Sequence, residues 1–405
     1  MVVTTVARGR NRYLDTLRAV ALIRVVMYHA TDVGWLSIVF PAMGVMFALA
    51  GSLMAGSLDR RPPWTVVRQR LRRLLLPFWL FAGAVVVAMF WRGWPDWRPD
   101  RLVFWLLPIA DPPGTAWAEQ VVDPLWYVRA YVWFVLLSPV LLWAYRRWPV
   151  ATLLAPLLLV AATAVGVLEP QRLGLSGPAL LDFGAYGACW LLGFAHRDGS
   201  LRRAPLPALL GIAGGAVLLG LAWAIVHPDP DSGYDLNEIP LGQALFSVGV
   251  VLLLLRPRPQ LAWLARVPVL DRLVTLLNAR AVTVYLWHEV ALVLAVPVND
   301  RFGLETTPQL LATAWVLIGV AVLALGWVED LAAGRRLRLL PWTPDSLTRV
   351  RDRTAESHAD EQRGAGGHDQ QATDPAHAEA GEHAPVLADG GAGVADDHRG
   401  ARDLA

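Results

Sequence analysis

Residues 13–31 read YLDTLRAVALIRVVMYHAT. The run is apolar enough to enter a bilayer, yet it carries Asp15, Arg18, Arg24 and His29. An ionisable side chain at membrane depth costs roughly 3 kcal/mol or more on insertion scales, so each of these marks a candidate functional position. Arg18 and His29 are eleven residues apart. Over that separation a helix returns to within ~20° of the same face and rises ~16 Å. One stripe of a first helix therefore presents a guanidinium near one membrane surface and an imidazole near the other.

The rest of the chain supplies a membrane around that helix. Of its 405 residues 55% are hydrophobic, 19 are Trp and 17% are charged, with a mean hydropathy of +0.41. That composition excludes an ordinary soluble core. All 36 basic residues are Arg, and Cys189 is the single cysteine, which excludes a disulfide framework and a thiolate metal cluster. The basic start MVVTTVARGRNR leads into a span with no small-residue cleavage site, and so into a retained helix rather than a signal peptide.

Ten apolar runs are expected to span: roughly 13–31, 36–57, 74–92, 124–145, 149–168, 176–195, 205–226, 239–256, 279–298 and 308–328. The segments between them alternate in charge. Arginines concentrate at the N-terminus, around 58–73, 146–148, 196–204 and 257–280, and at 334–338, while acids outnumber them in the intervening loops. The positive-inside rule then predicts an all-α polytopic protein with both termini cytoplasmic. Two domains follow: a membrane body over 1–340, and a tail over 345–405 with 6 Arg against 13 acids. The tail has few large apolar side chains and is expected to be disordered. Its five histidines, from His358 to His398, match no metal-ligand spacing.

The loop 93–123 contains RLVFWLLPI (101–109), too short to span, followed by DPPG (111–114). It is read as interfacial, with Trp91, Trp94, Trp97, Trp105 and Trp117 at headgroup level or gripping a sugar. Arg70 and Arg73, one turn apart before the third span, set topology or bind a polyanionic ligand.

Depths can be compared once the spans alternate. Arg24 falls level with His288 and Glu289, which predicts a structural Arg24–Glu289 ion pair. His29 falls level with Tyr127, Arg129 and Asp182. A buried histidine is often only a hydrogen-bonded core residue, but here it shares a face with Arg18. The stripe suits a phosphate-bearing donor with a reactive acyl group on a long arm. His29 would be general base or transient acyl carrier, with a carboxylate fixing its tautomer.

These residues resemble a known family. LDTLRAVALIRVVMYHA (14–30) is similar to the opening block of the acyltransferase type 3 family of integral-membrane O-acyltransferases, where an Arg and a His are separated by ten residues. GVMFALAG (44–51), RQRLRRLLLPFW (68–79), PLWYVRAY (124–131), VYLWHE (284–289) and WVED (327–330) follow in the family's order. Ala50 stands where the family usually has Ser, so no hydroxyl is offered there.

The resemblance implies transfer of an acetyl or other short acyl group from acyl-coenzyme A to a sugar-containing acceptor, either a cell-envelope glycan or a glycosylated metabolite. By that match Arg18 and His29 inherit the critical roles; with the depths and charges read above, the candidate catalytic residues are His29, Arg18 and Asp182, and the candidate donor-binding residues are Arg18, Arg70 and Arg73. Tyr127, Arg129 and Trp126 would bind the acceptor. Membrane lipid is the further partner; no metal and no nucleic acid are expected, and the oligomeric state is open. Two other readings compete: a transporter or flippase that uses the same buried charges, and a scaffold that works through its tail.

Overall fold

The computed structural model describes residues 11–341 except Arg258 and Gln260; the predicted tail lies outside the described residues. Helix is the only regular secondary structure among the described residues, with no strand and one isolated bridge, Asp229 to Gly233. We number the α-helices of six or more residues: α1 (Arg12–Thr31), α2 (Ala42–Leu58), α3 (Pro63–Trp91), α4 (Trp126–Arg147), α5 (Pro149–Ala164) and α6 (Gly177–Asp198). Then follow α7 (Leu206–Val226), α8 (Pro240–Leu255), α9 (Pro268–Ala279), α10 (Ala281–Phe302), α11 (Thr307–Leu325) and α12 (Trp327–Ala332).

Seven segments are long and apolar enough to cross a membrane: Leu36–Leu58, Pro63–Trp91, Ala116–Arg147, Arg172–Asp198, Leu206–Val226, Ala281–Phe302 and Thr307–Leu325. At the other three predicted positions stand α1 and the shorter apolar helices α5 and α8. α1 is long enough but carries Arg12, Asp15, Arg18 and Arg24. The described residues form the all-helical body of a membrane protein.

α2 and α6 meet with their backbones almost in contact. A methyl group on Gly51 would lie 2.2 Å from the Trp190 carbonyl oxygen, and one on Gly193 would lie 2.2 Å from that of Ala48. Small residues are what let membrane helices approach this closely. Gly193→Ala should therefore cost about 1–3 kcal/mol, read as a lower unfolding temperature of the detergent-purified protein. An unchanged temperature would refute the close packing.

Two expectations change here. The predicted inner loop 257–280 contains α9, an amphipathic helix that buries Val274 and Leu277. It clamps the start of α1: Arg12 donates to the Asp271 carbonyl at 2.9 Å and to Thr275 Oγ1 at 3.1 Å, and Asn278 donates to the Asp15 carbonyl at 2.7 Å. The tryptophan belt is also split. Trp91 is 86% exposed, whereas Trp94 and Trp105 are buried. The loop folds back so that the Trp105 indole stacks near Phe78 and donates to the Pro113 carbonyl at 3.0 Å.

Candidate active site

His29 sits near the end of α1, which stops where Asp32 takes a left-handed backbone (φ 51°). α10 runs beside it and contributes His288 and Glu289, both buried. His29 Nδ1 lies 2.8 Å from Glu289 Oε1, and the two imidazole centroids are 5.0 Å apart. Gln120, on the short helix Glu119–Val122, donates to the other carboxylate oxygen, Oε2, at 3.1 Å. His288 Nδ1 lies 2.5 Å from the Tyr285 carbonyl, an acceptor, so Nδ1 carries the proton and Nε2 the lone pair. A carboxylate that holds the Nδ1–H form of His29 leaves its Nε2 free to accept a proton.

The predicted Arg24–Glu289 pair does not form. Arg24 Nε donates to the Leu36 carbonyl at 3.2 Å, and its guanidinium lies 4.8 Å from the Tyr28 ring centroid. Sequence depth matched Arg24 to Glu289, but azimuth separates them, since His29 is the α1 residue that faces α10. Asp182 is not the carboxylate on His29 either. Both nitrogens of Arg129 that reach it, Nη2 at 2.7 Å and Nε at 3.0 Å, hold Oδ2, and Arg129 Nη1 pairs with Asp111. That cluster joins α4, α6 and the loop before α4. Arg129 and Trp126 line one cavity with Asp111, Glu119 and Asp123, and Trp126 stacks on Tyr186 with centroids 5.3 Å apart.

A second cavity holds the other predicted residues. Arg18, Arg70 and Arg73 line it together, joined by Arg335 from the segment after α12. Arg18 is steadied by Asn278 of α9, at 3.5 Å, and Arg70 donates to the Leu53 carbonyl and Ser57 Oγ, both at 3.0 Å. Tyr127 lines this cavity rather than the one with Arg129, opposite Tyr285 with centroids 4.8 Å apart. From Tyr285 the rings continue to His288 at 5.5 Å and on to His29 at 5.0 Å. Ala50 is also on the wall, so the missing hydroxyl leaves a methyl facing the cavity.

Glu329 closes the cavity from α12. It accepts from the Thr283 backbone N–H at 2.8 Å and from Thr283 Oγ1 at 2.6 Å, and so caps the start of α10. Burial outweighs these bonds and pushes its carboxyl up to about 7. A raised carboxyl pKa means the native state binds the proton more tightly than the unfolded chain does. Its contribution is therefore full below the ordinary carboxyl range and lost as pH rises towards about 7. Unfolding temperature should fall across that window in the wild type and much less in Glu329→Gln; parallel curves would refute the assignment.

A family described as an acyltransferase domain matches residues 11–328. The chain belongs to the acyltransferase type 3 family. No curated protein and no solved structure matches it.

In this acyltransferase the opening block, VYLWHE and WVED meet at the arginine-lined cavity, to which they supply Arg18, Tyr285 and Glu329, while His29, His288 and Glu289 cluster beyond Tyr285. Sequence reasoning missed the contacts of His29 with Glu289 and His288, and the roles of Gln120, Asn278 and Arg335. The adjacent ionisable residues of VYLWHE were the available signal for the first two. Gln120, Asn278 and Arg335 lie in segments read as loops, where no periodicity says which way a side chain points.

Proposed function

We propose that this membrane acyltransferase moves an acetyl or other short acyl group from acyl-coenzyme A to a hydroxyl of a sugar-containing acceptor. In this reading the body spans ten times with both termini cytoplasmic. The donor enters the arginine-lined cavity from the cytosolic side, and the acceptor enters from the outer face. The observation that carries it is the row of side chains running from Arg18, Arg70, Arg73 and Arg335 through Tyr127 and Tyr285 to His29.

The chemistry follows from that order. The arginines hold the donor phosphates by charge-assisted hydrogen bonds. His29 Nε2 takes the proton of the acceptor hydroxyl, whose oxygen attacks the thioester carbonyl. The carbon–sulfur bond breaks, the ester forms, and the thiol leaves with a proton. Glu289 stabilises the imidazolium in between. Trp126 offers a face for a sugar ring, and Arg129, held by Asp182 and Asp111, shapes the outer wall. Membership of an acyltransferase family favours this over the transporter reading.

The test is transfer of labelled acetyl from coenzyme A by the full chain in proteoliposomes, with envelope glycans and glycosylated metabolites as acceptors. Arg73→Ala and Arg335→Ala should each raise the donor KM by about tenfold or more, the loss of one charge-assisted hydrogen bond, with kcat much less affected. Unchanged donor KM in both variants would remove the donor from this cavity.

A further inference from the structure

We propose that His29, His288 and Glu289 form a binding site for one divalent transition-metal ion, zinc by ligand type, and that the ion inhibits the enzyme by occupying His29. One ligand atom from each residue lies within 4.8 Å of the other two. Glu289 Oε1 is 2.8 Å from His29 Nδ1 and 3.4 Å from His288 Nε2. Tetrahedral ligands at zinc bond lengths sit about 3.3 Å apart, so small side-chain shifts suffice.

The protonation pattern points the same way. His288 Nδ1 donates to the Tyr285 carbonyl, which turns the lone pair of Nε2 towards the carboxylate. Nε2 of His288 is buried with no hydrogen-bond partner among the described residues, and it faces Oε1 of Glu289 at 3.4 Å, the same oxygen that His29 Nδ1 approaches at 2.8 Å. Two electron-rich atoms facing each other in a dry site repel unless a cation lies between them. The surrounding bonds are those that orient metal ligands. The second imidazole nitrogen of His288 is held by a backbone carbonyl, and the second oxygen of Glu289 is held by the Gln120 amide.

The His288 and Glu289 side chains are 1% and 3% exposed, but that of His29 is 26% exposed. An ion would thus keep an open coordination position on the accessible side. Two imidazoles, one carboxylate and an open position make a zinc ligand set. Coordination through His29 Nδ1 puts the ring proton on Nε2. No lone pair then remains to accept a proton from an acceptor hydroxyl, so the ion and base catalysis exclude each other.

The experiment uses the full chain in detergent, purified without a histidine tag. Equilibrium dialysis against zinc, with metal content by mass spectrometry, compares wild type with His288→Gln and Glu289→Gln. One zinc per chain should disappear in each variant, while the histidines beyond residue 345 contribute an equal background to all three. Cobalt substitution of the wild type should give the intense visible bands of a four-coordinate ion, displaced by zinc. Equal zinc content in variants that elute like wild type would overturn the site. So would a weak six-coordinate cobalt spectrum, which needs no variant to fold. Added zinc should remove most of the transfer rate and a chelator should restore it; a rate that rises with zinc would overturn the inhibitory role. Binding is read without donor or acceptor, so its failure leaves the acyl-transfer reading intact, and an inactive preparation can still bind zinc.

Discussion

His29→Ala should abolish acyl transfer while leaving expression, membrane insertion and unfolding temperature close to wild type. A positioned general base contributes about 10²–10⁴-fold, so activity should drop to the assay floor. The side chain is partly exposed, packs against His288 by a ring edge and pairs with Glu289, which Gln120 still holds, but it supports no backbone group, which is why its removal spares the fold. Donor KM, where residual activity allows it to be measured, should not move, because the arginines proposed to hold the donor lie in the other cluster. The variant should also fail to regain activity at high pH, since no weaker base replaces the imidazole. Transfer at the wild-type rate would dismiss His29 from the reaction.

Glu289→Gln should lower kcat by about 10²-fold or more with donor KM unchanged. The closest general precedent is the carboxylate of a hydrolase triad, whose amide variant keeps the geometry but loses the tautomer and the charge. Here the amide would also break the bond pattern on Gln120, which now donates to Oε2. Glu289 acts through His29, so its effect must appear as a changed pH profile of kcat as well as a lower plateau. Glu289→Asp keeps the charge on a shorter arm and should recover part of the rate. If Glu289→Gln retained both the plateau and the profile, the His29–Glu289 contact would be packing only. Asp182→Asn offers the contrast: it loosens Arg129 on the wall of its own cavity and should act on the acceptor KM instead.

The two predictions concern a contact that sequence reasoning placed elsewhere, and the reason is geometric. Depth along a span can be counted from its ends, and the counts put Arg24 level with Glu289. Which of several charged residues turns towards a neighbouring helix depends on the rotation and tilt of both. A shift of one residue turns a helix by 100°. The Arg18–His29 stripe survived because it lies on one helix, where spacing alone decides the face. Asp182 was matched to His29 by depth in the same way, but α6 presents it to Arg129 on α4.

Local chemistry was legible further than partnership. The apolar runs, the break after each, and the arginine clusters located a helix at each of the ten predicted positions, seven of them in segments long and apolar enough to cross a membrane, since hydrophobic length and chain breakers act over neighbouring residues. The amphipathic α9 escaped because it is short and charged. Trp94 and Trp105 escaped because a loop that folds back on the bundle buries residues that would otherwise lie at the interface.

From sequence alone, then, came an all-helical membrane body, a charged first helix with Arg18 and His29 on one face, and the family resemblance that the match over residues 11–328 bears out. The tertiary structure alone decided that His29 meets Glu289 and His288, that Tyr127 belongs with the arginines, and that Asp182 belongs to Arg129. The first set depends on interactions within a helix turn or across a lipid boundary, which a linear sequence encodes directly. The second depends on the azimuth at which separate helices pack, and that is set by the whole bundle at once.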